Sequence, residues 1–223
     1  MLALRPTVLL TGFEPFDNAD TNPSWLAARA LHGRQIVRHR IVAAQLPTAF
    51  HASAQQLAGL VALHRPALVL CLGLAAGRTA ISLERVAINV NDARIPDNAG
   101  EQPVDTPVVQ GGPDAYFTRM PVKAMLLAIR GAGVDGELSN TAGTFVCNHV
   151  FYALMHLLAT RRGHKQTRGG FIHLPCLPEQ AAAQGVGAGM ALDDMVLGLK
   201  AAIRAALEHT GKGDITLAAG TTH

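Results

Sequence analysis

Cysteine is scarce in this sequence: its 223 residues include three, Cys71, Cys147 and Cys176. Their number is odd and their spacing shows no paired pattern, so a disulfide framework is not expected. Proteins that depend on disulfides are made in oxidising compartments, whereas free cysteines fit a reducing one. We therefore expect a cytoplasmic protein whose thiols are free.

Long apolar runs and dense charge are also missing. No stretch approaches the roughly 20 apolar residues that span a bilayer. The first apolar run is broken within LLTGFEPF by Gly, Glu and Pro, too early for a targeting segment. Charged residues make up 16% of the chain, and the densest basic stretch, RRGHKQTR (161–168), contains no aromatic residue, which is typical of a solvated loop. We expect neither a membrane nor a nucleic acid as a partner.

The common cofactor and metal motifs are absent as well. The sequence has no GxxxxGK[ST] phosphate loop and no HExxH helix, and GLAAG (73–77) lacks the glycine spacing of a dinucleotide fingerprint. His149 and His156 lie on one face of a predicted helix near Cys147, but two histidines seven residues apart seldom bind one ion. We expect no cofactor and no metal site.

Apolar segments dominate what is present, at 49% of the chain, and they alternate between strand and helix character. The patterns predict strands at 7–12, 35–46, 67–73, 81–90 and 170–174, and helices from about Pro23 and at 50–64, 121–132, 146–160 and 190–208. The segment 91–114 is an irregular loop rich in Pro, Gly, Asp and Asn. This alternation predicts one α/β domain over 1–223, a three-layer α/β/α sandwich with a mostly parallel sheet, and a loosely held tail from about 211.

Cys147 stands where a helix begins. In SNTAGTFVCNHVFY it follows a Gly/Thr turn and falls in the first helical turn, where the free N–H groups and the helix dipole favour a thiolate. The backbone amides around AGT offer an oxyanion hole. Location alone leaves the choice between a packed cysteine and a nucleophile about even.

His173 and Glu84 supply possible partners. His173 ends a strand just before a proline turn, at the edge where open α/β sheets carry their active sites. Glu84 lies in a β-like run beside Arg85, but adjacent strand residues face opposite ways, so a carboxylate buried there needs another partner. A histidine is one candidate. A cysteine, a histidine and an acid form the generalised triad of nucleophilic catalysis.

These segments together resemble the type I pyroglutamyl peptidases, also called pyrrolidone-carboxylate peptidases, a family of cysteine peptidases. The resemblance runs through LLTGFEPFDNADTNPSW, CLGLAAGRTAISLERVAINVNDARIPDNAG, SNTAGTFVCNHVFYALMH and GGFIHLPCLPEQ, in family order and over most of the chain. It implies that Cys147 is the nucleophile, His173 the general base and later acid, and Glu84 the group that orients the imidazole. The reaction it implies is removal of an N-terminal pyroglutamyl residue from small peptides.

The resemblance also implies a lactam pocket, a fold similar to the nucleoside phosphorylases, with a twisted mixed sheet, and a homodimer or homotetramer. The pocket carries over onto Phe13, Phe16, Asn22, Thr48 and Phe145. Arg94 matches a family arginine beside the site, with a role in either electrostatic stabilisation or loop support.

One departure from the family concerns Leu74, in the pocket-forming segment GLAAGR. The family usually has Gln at this position and Gly at Ala76. Losing a polar side chain there favours a second hypothesis, a related amidopeptidase with altered N-terminal specificity. Two further alternatives are a non-catalytic binding protein on the same scaffold and a nucleoside phosphorylase, although no phosphate-binding motif supports the latter.

Overall fold

The computed structural model describes residues 6–164 and 166–220. Helices and strands alternate along most of it. The strands are β1 (Thr7–Phe13), β2 (Gln35–Ile36), β3 (His39–Leu46), β4 (Leu68–Leu74), β5 (Ile81–Glu84), β6 (Val86–Ile88), β7 (Ala115–Phe117), β8 (Gly136–Ser139) and β9 (Arg168–Leu174). The helices are α1 (Pro23–Leu31), α2 (Phe50–His64), α3 (Val122–Gly131), α4 (Val146–Thr160), α5 (Pro178–Gln184) and α6 (Leu192–Glu208).

Seven strands form the central sheet, in the order β2-β3-β1-β4-β9-β5-β8. The pairs β1–β3, β1–β4, β4–β9 and β5–β8 are parallel, and β2–β3 and β5–β9 are antiparallel. Helices α1, α3 and α6 cover one face, and α2 and α4 cover the other. The predicted three-layer sandwich with a mostly parallel mixed sheet is confirmed.

The two apolar cores follow from the period-2 alternation of the central strands. In β4, Leu70 and Leu72 face the α1–α3–α6 layer, whereas Val69 and Cys71 face the α2–α4 layer. Strands buried on both faces read as continuous apolar sequence, which is why this strand was visible in the sequence.

Two predicted strands are each divided. The 35–46 run contains a hairpin, because Val37 and Arg38 adopt left-handed φ angles of 43° and 63°. Such turns usually carry Asn or Gly, so Val-Arg gave no signal. The 81–90 run breaks at Arg85, whose N–H donates to Ser139 O in the main sheet while its carbonyl accepts from Thr118 N beside β7. The chain thus leaves the central sheet for the separate β6–β7 ribbon.

Three short elements were not predicted: β7, β8 and α5. They have three, four and seven residues, so pairing or packing with distant segments decides their conformation. In the tail, residues 211–220 form no strand, and Asp214 caps α3 by accepting from Lys123 N (2.9 Å) and Ala124 N (3.1 Å). Within the described ranges, no helix is long and apolar enough to cross a membrane.

Candidate active site

A cavity of about 260 Å³ opens at the carboxyl ends of β1 and β4. It gathers side chains from distant parts of the chain. Its lining includes all seven residues predicted for the pocket, together with Cys147: Phe13, Phe16, Asn22, Thr48, Leu74, Arg94 and Phe145. Asp17, Ile95 and Gln184 also line it and were not predicted.

The cavity exists because β1 and β4 diverge. Their parallel pairing runs only to Thr11 and Cys71. Beyond that point Phe13 N donates to Ser24 Oγ (2.9 Å), at the start of α1, instead of to β4. Helix α1 can come this close because residue 12 is glycine: a β-carbon there would lie 2.4 Å from Ser24 O.

The backbone of Leu74 faces this opening. Ala75 N donates to Leu174 O of β9. Because alternate residues of a strand direct their N–H and C=O groups to opposite neighbours, those of Leu74 point to the β1 side. Leu74 therefore presents a donor and an acceptor to the cavity whatever its side chain.

Aromatic rings form the walls. The ring centroids of Phe16 and Phe145 lie 5.2 Å apart, and Phe50 packs edge-on against Phe145 at 5.3 Å. Phe13 lies 6.4 Å from Phe171 of β9, which connects the pocket to the α4 face of the sheet. Such rings give flat apolar surfaces with well-defined orientation.

The polar residues Asn22 and Thr48 are held by Glu14. Asn22 Nδ2 and Thr48 Oγ1 both donate to Glu14 O, at 3.0 and 3.2 Å. Glu14 Oε1 accepts from Thr48 N (3.0 Å) and from Asn98 Nδ2 (2.7 Å). Asn22 Oδ1 also accepts from Ser24 N and Oγ, so it caps α1. The motif GFEPF predicts the aromatic residues of the pocket and gives no local sign of the role of Glu14.

Cys147 occupies the second residue of α4, as predicted. The N-cap residue Phe145 has no side-chain acceptor, so it does not cap the N–H groups in the first turn of α4. The neighbouring Asn148 fixes the helix start: it accepts from Ile88 N (3.0 Å) and donates to Ile88 O (2.9 Å) and Val90 O (3.0 Å). Asn148 is fully buried, and no sequence pattern indicated this role.

The Cys147 sulfur lies above β4 at Gly73. A β-carbon on Gly73 would stand 2.8 Å from it. Gly73 pairs with His173 across the β4–β9 ladder, so the thiol and the imidazole lie on the same face of two adjacent strands. The structure thus brings Cys147 and His173 together.

Glu84 completes this group. His173 Nδ1 lies 2.8 Å from Glu84 Oε1, and both side chains are buried. A carboxylate oxygen only accepts, so Nδ1 carries the proton and Nε2 is left as the basic nitrogen. The predicted need of Glu84 for a partner other than Arg85 is met by His173 and by Arg78, whose Nη1 donates to Oε1 at 2.7 Å.

The expectation that the helix start favours a thiolate is wrong for the unliganded site. Burial, and then the charge of Glu84, raises the pKa of Cys147 to about 12, while Arg78 opposes the rise. Desolvation is thus the largest influence on the pKa of this thiol. A base must remove the thiol proton before this sulfur can attack.

The histidines considered for metal binding have other partners. His149 Nδ1 lies 3.0 Å from Asn91 Oδ1, and His156 Nδ1 lies 3.0 Å from Tyr116 Oη. Across residues 6–164 and 166–220, no group of His, Cys, Asp and Glu has the arrangement of a metal site.

Comparison with known sequences gives the family. A family model described as pyroglutamyl peptidase matches residues 6–209. The chain belongs to the pyroglutamyl peptidase family. Because this is a cysteine peptidase family, the protein is a cysteine peptidase.

Similar proteins in this family include two pyrrolidone-carboxylate peptidases. That of Cupriavidus necator is 53% identical over 217 residues, which are 97% of this chain and 99% of the relative. That of Bacillus cytotoxicus is 46% identical over 217 residues, again 97% of this chain and 99% of the relative. The likeness therefore extends along whole chains.

Solved structures of the family share the fold. The pyroglutamyl peptidase I of Bacillus amyloliquefaciens superposes with a TM-score of 0.91 at 44% identity, covering 96% of this chain and 100% of that one. A mutant pyrrolidone carboxyl peptidase of Pyrococcus furiosus gives 0.86 at 38% identity, covering 91% and 99%. The family likeness favours neither a nucleoside phosphorylase nor a non-catalytic protein.

Proposed function

We propose that this protein removes an N-terminal pyroglutamyl residue from peptides, with Cys147 as nucleophile, His173 as acid and base, and Glu84 as the group that orients the imidazole. The position of Cys147 is the main support for this proposal. Cys147 lines the aromatic cavity and lies on the same face of the sheet as the hydrogen-bonded pair Glu84–His173. The family of the chain supports the same reaction.

The cavity suits the pyroglutamyl ring. This ring is small, flat and uncharged, with one N–H donor and one C=O acceptor in its lactam. Phe16 and Phe145 supply apolar walls, and the Leu74 backbone supplies an acceptor and a donor at one end. A mostly apolar pocket with a few convergent polar groups is the usual form of a small-molecule site.

The acylation step follows from the tautomer of His173. Nε2 takes the Cys147 proton as the sulfur attacks the pyroglutamyl carbonyl carbon, and the carbonyl π electrons move to the oxygen. When the tetrahedral intermediate collapses, the C–N bond breaks and Nε2–H protonates the departing amine, leaving a thioester. Nε2 then deprotonates a water that attacks the thioester carbon; the C–S bond breaks, pyroglutamate leaves, and Nε2–H returns the proton to the Cys147 sulfur. No cofactor enters either step.

The start of α4 supplies the oxyanion site in this proposal. The Cys147 N–H lies in the uncapped first turn, where the helix dipole is positive. A developing negative oxygen bonded next to Sγ falls beside this N–H. Removal of one such donor typically costs about 100- to 1,000-fold in kcat.

Glu84 and His173 act as a pair in this scheme. With Glu84 fixed on Nδ1, the imidazole cannot adopt the other tautomer, and the imidazolium formed after proton transfer is stabilised. Glu84→Gln should therefore retain binding while kcat falls.

The test is hydrolysis of a fluorogenic pyroglutamyl amide, compared with the prolyl, N-acetylalanyl and free glutaminyl amides. We expect cleavage of the pyroglutamyl compound alone and none by Cys147→Ser. Cys176→Ser, which alters a thiol outside the cavity lining, is the matched control and should keep activity. Cleavage by Cys147→Ser would contradict the assignment of Cys147 as the nucleophile. Preference for another blocked amide would contradict the proposed substrate.

The alternative with shifted specificity is not favoured, because the similar proteins of this family are named for pyrrolidone-carboxylate cleavage. The orientation of the Leu74 backbone supports this conclusion, since lactam recognition does not then require a polar side chain at residue 74.

We also propose that the chain acts as one domain in the cytoplasm and as a homodimer or homotetramer. Free Cys71, Cys147 and Cys176 support the reducing compartment. Light scattering on the purified chain tests the assembly: a monomer at working concentration would contradict it.

A further inference from the structure

Arg78 is absent from the cavity lining yet lies against the buried pair Glu84–His173. It ends a tight turn after β4, in which Arg78 N donates to Ala75 O (3.2 Å) and Gly77 adopts a left-handed φ of 88°. This turn directs the guanidinium back toward β5. No sequence pattern indicates a role for Arg78.

The guanidinium joins two parts of the site at once. Its Nη1 donates to Glu84 Oε1 at 2.7 Å, and its Nη2 donates to Thr141 O at 3.0 Å. Thr141 lies in the β8–α4 connection that leads to Cys147, and its carbonyl also accepts from Ser139 Oγ at 3.0 Å. One planar group therefore fixes the carboxylate relative to the segment that carries the nucleophile.

Glu84 depends on this contact for charge compensation. Its side chain is fully buried, whereas that of Arg78 is 26% exposed. Glu84 Oε1 accepts hydrogen bonds from both Arg78 and His173, whereas Glu84 Oε2 has no hydrogen-bond partner in the described part of the chain. A buried carboxylate that loses its paired cation is left uncompensated, which is costly. Loss of Arg78 should therefore weaken the hold of Glu84 on the imidazole.

We propose that Arg78 is a positioning residue for the reaction: it compensates the charge of Glu84, holds this carboxylate directed at His173, and ties both to the loop that leads to Cys147. The proposal rests on the proposed peptidase function. It assigns Arg78 no contact with the substrate, so its loss should act on kcat more than on KM.

The charges around the site predict how the pH profile responds. The thiol and imidazole are faced by Glu84 from β5, by Cys71 from β4 and by Arg78 from the turn. Arg94 stands at the cavity, and Glu137 of β8 lies beyond Ser82, whose Oγ donates to it at 2.5 Å. Removing Arg78 leaves the negative field of Glu84 less opposed.

Glu84 raises the pKa of the Cys147 thiol and Arg78 lowers it. The limb of the kcat/KM profile that reports ionisation of this thiol should therefore move to higher pH in Arg78→Gln. Arg78→Lys retains the charge, but an ammonium cannot reproduce the planar pair of donors that contacts Glu84 and Thr141. We therefore expect kcat to fall with little displacement of the pH profile.

The experiment measures kcat, KM, the pH profile and the melting temperature of Arg78→Gln, Arg78→Lys and Arg85→Gln. Arg85 is the matched control, because it neighbours Glu84 in sequence but forms no ion pair within the described residues. We expect a fall of about 10- to 100-fold in kcat for both Arg78 variants, an upward displacement of the profile for Arg78→Gln, and a near-normal Arg85→Gln.

An Arg78→Gln enzyme with unaltered kcat and profile would overturn the proposal. So would a loss explained by lower melting temperature with the profile in place. If Arg78→Gln does not fold, Arg78→Lys decides: normal kcat contradicts the proposal and reduced kcat supports it. Absence of pyroglutamyl cleavage by the unmodified protein is a separate result, which would reject the proposed function itself.

Discussion

The sulfur of Cys147 fills the space above Gly73, where a β-carbon would lie 2.8 Å away. The same β-carbon would lie 2.8 Å from the ring of Phe171. The Cys147 sulfur therefore packs directly against Gly73. Because residue 73 has no side chain, α4 can approach the sheet.

Gly73→Ala should displace this sulfur and lower kcat by about 10- to 100-fold, because small misplacements of reacting groups are costly. The effect is measured by steady-state kinetics alongside circular dichroism. Gly59→Ala is the control: no heavy atom lies within 4 Å of its added β-carbon, so activity should be unchanged. Equal kinetics in the two variants would contradict the close packing of Cys147 on residue 73.

The Cys147 thiol should be protonated in the unliganded enzyme at neutral pH, because burial and Glu84 raise its pKa to about 12. The thiolate absorbance of the unmodified protein minus that of Cys147→Ser measures this directly. We expect no difference near pH 7 and a thiolate signal only in strongly alkaline solution. A difference already present at neutral pH would indicate a preformed thiolate–imidazolium pair.

Acid should destabilise the fold through His149. Burial, and then His51, lowers the pKa of His149 from 6.5 to about 4, against an opposing effect of Asp97. The unfolded chain then binds more protons than the native one between these values, so stability is present above pH 6.5 and is lost as pH falls toward 4. The full effect is about 3 kcal/mol.

Urea unfolding at about pH 7.5 and about pH 4.5 measures this loss, and His149→Gln should reduce the difference. Glutamine retains an N–H that can donate to Asn91 without a titrating ring. Other groups that titrate in this range contribute equally to both proteins. An unchanged pH dependence in His149→Gln would exclude His149 as its source.

Substitution of Leu74 should have little effect on catalysis. If the backbone at residue 74 contacts the lactam, Leu74→Gln and Leu74→Ala should keep kcat/KM within about threefold, since loss of a partly buried apolar side chain alters little polar recognition. A gain above about tenfold in Leu74→Gln alone would show that a polar side chain reads the lactam. Hydrolysis of the pyroglutamyl amide, with the prolyl amide for comparison, distinguishes these outcomes.

The sequence by itself determined the layers of the fold, and its resemblance to the family indicated seven of the residues that line the cavity. Continuous apolar runs such as 67–73 and the helical period after Cys147 are local patterns, so they could be read without tertiary information. The pocket residues came from resemblance to the family, and the structure places all of them around one cavity.

Only the tertiary structure decided how the site is held. Glu14 and Asn148 act through partners 34 and 60 residues away in the chain, and Arg78 joins Glu84 to Thr141, which is 63 residues from Arg78. No local pattern reports such contacts. The pKa of Cys147 was decided in the same way: the helix start predicts a thiolate, whereas burial and Glu84 raise the pKa of the thiol. Desolvation depends on everything packed around the sulfur, which a linear sequence does not display.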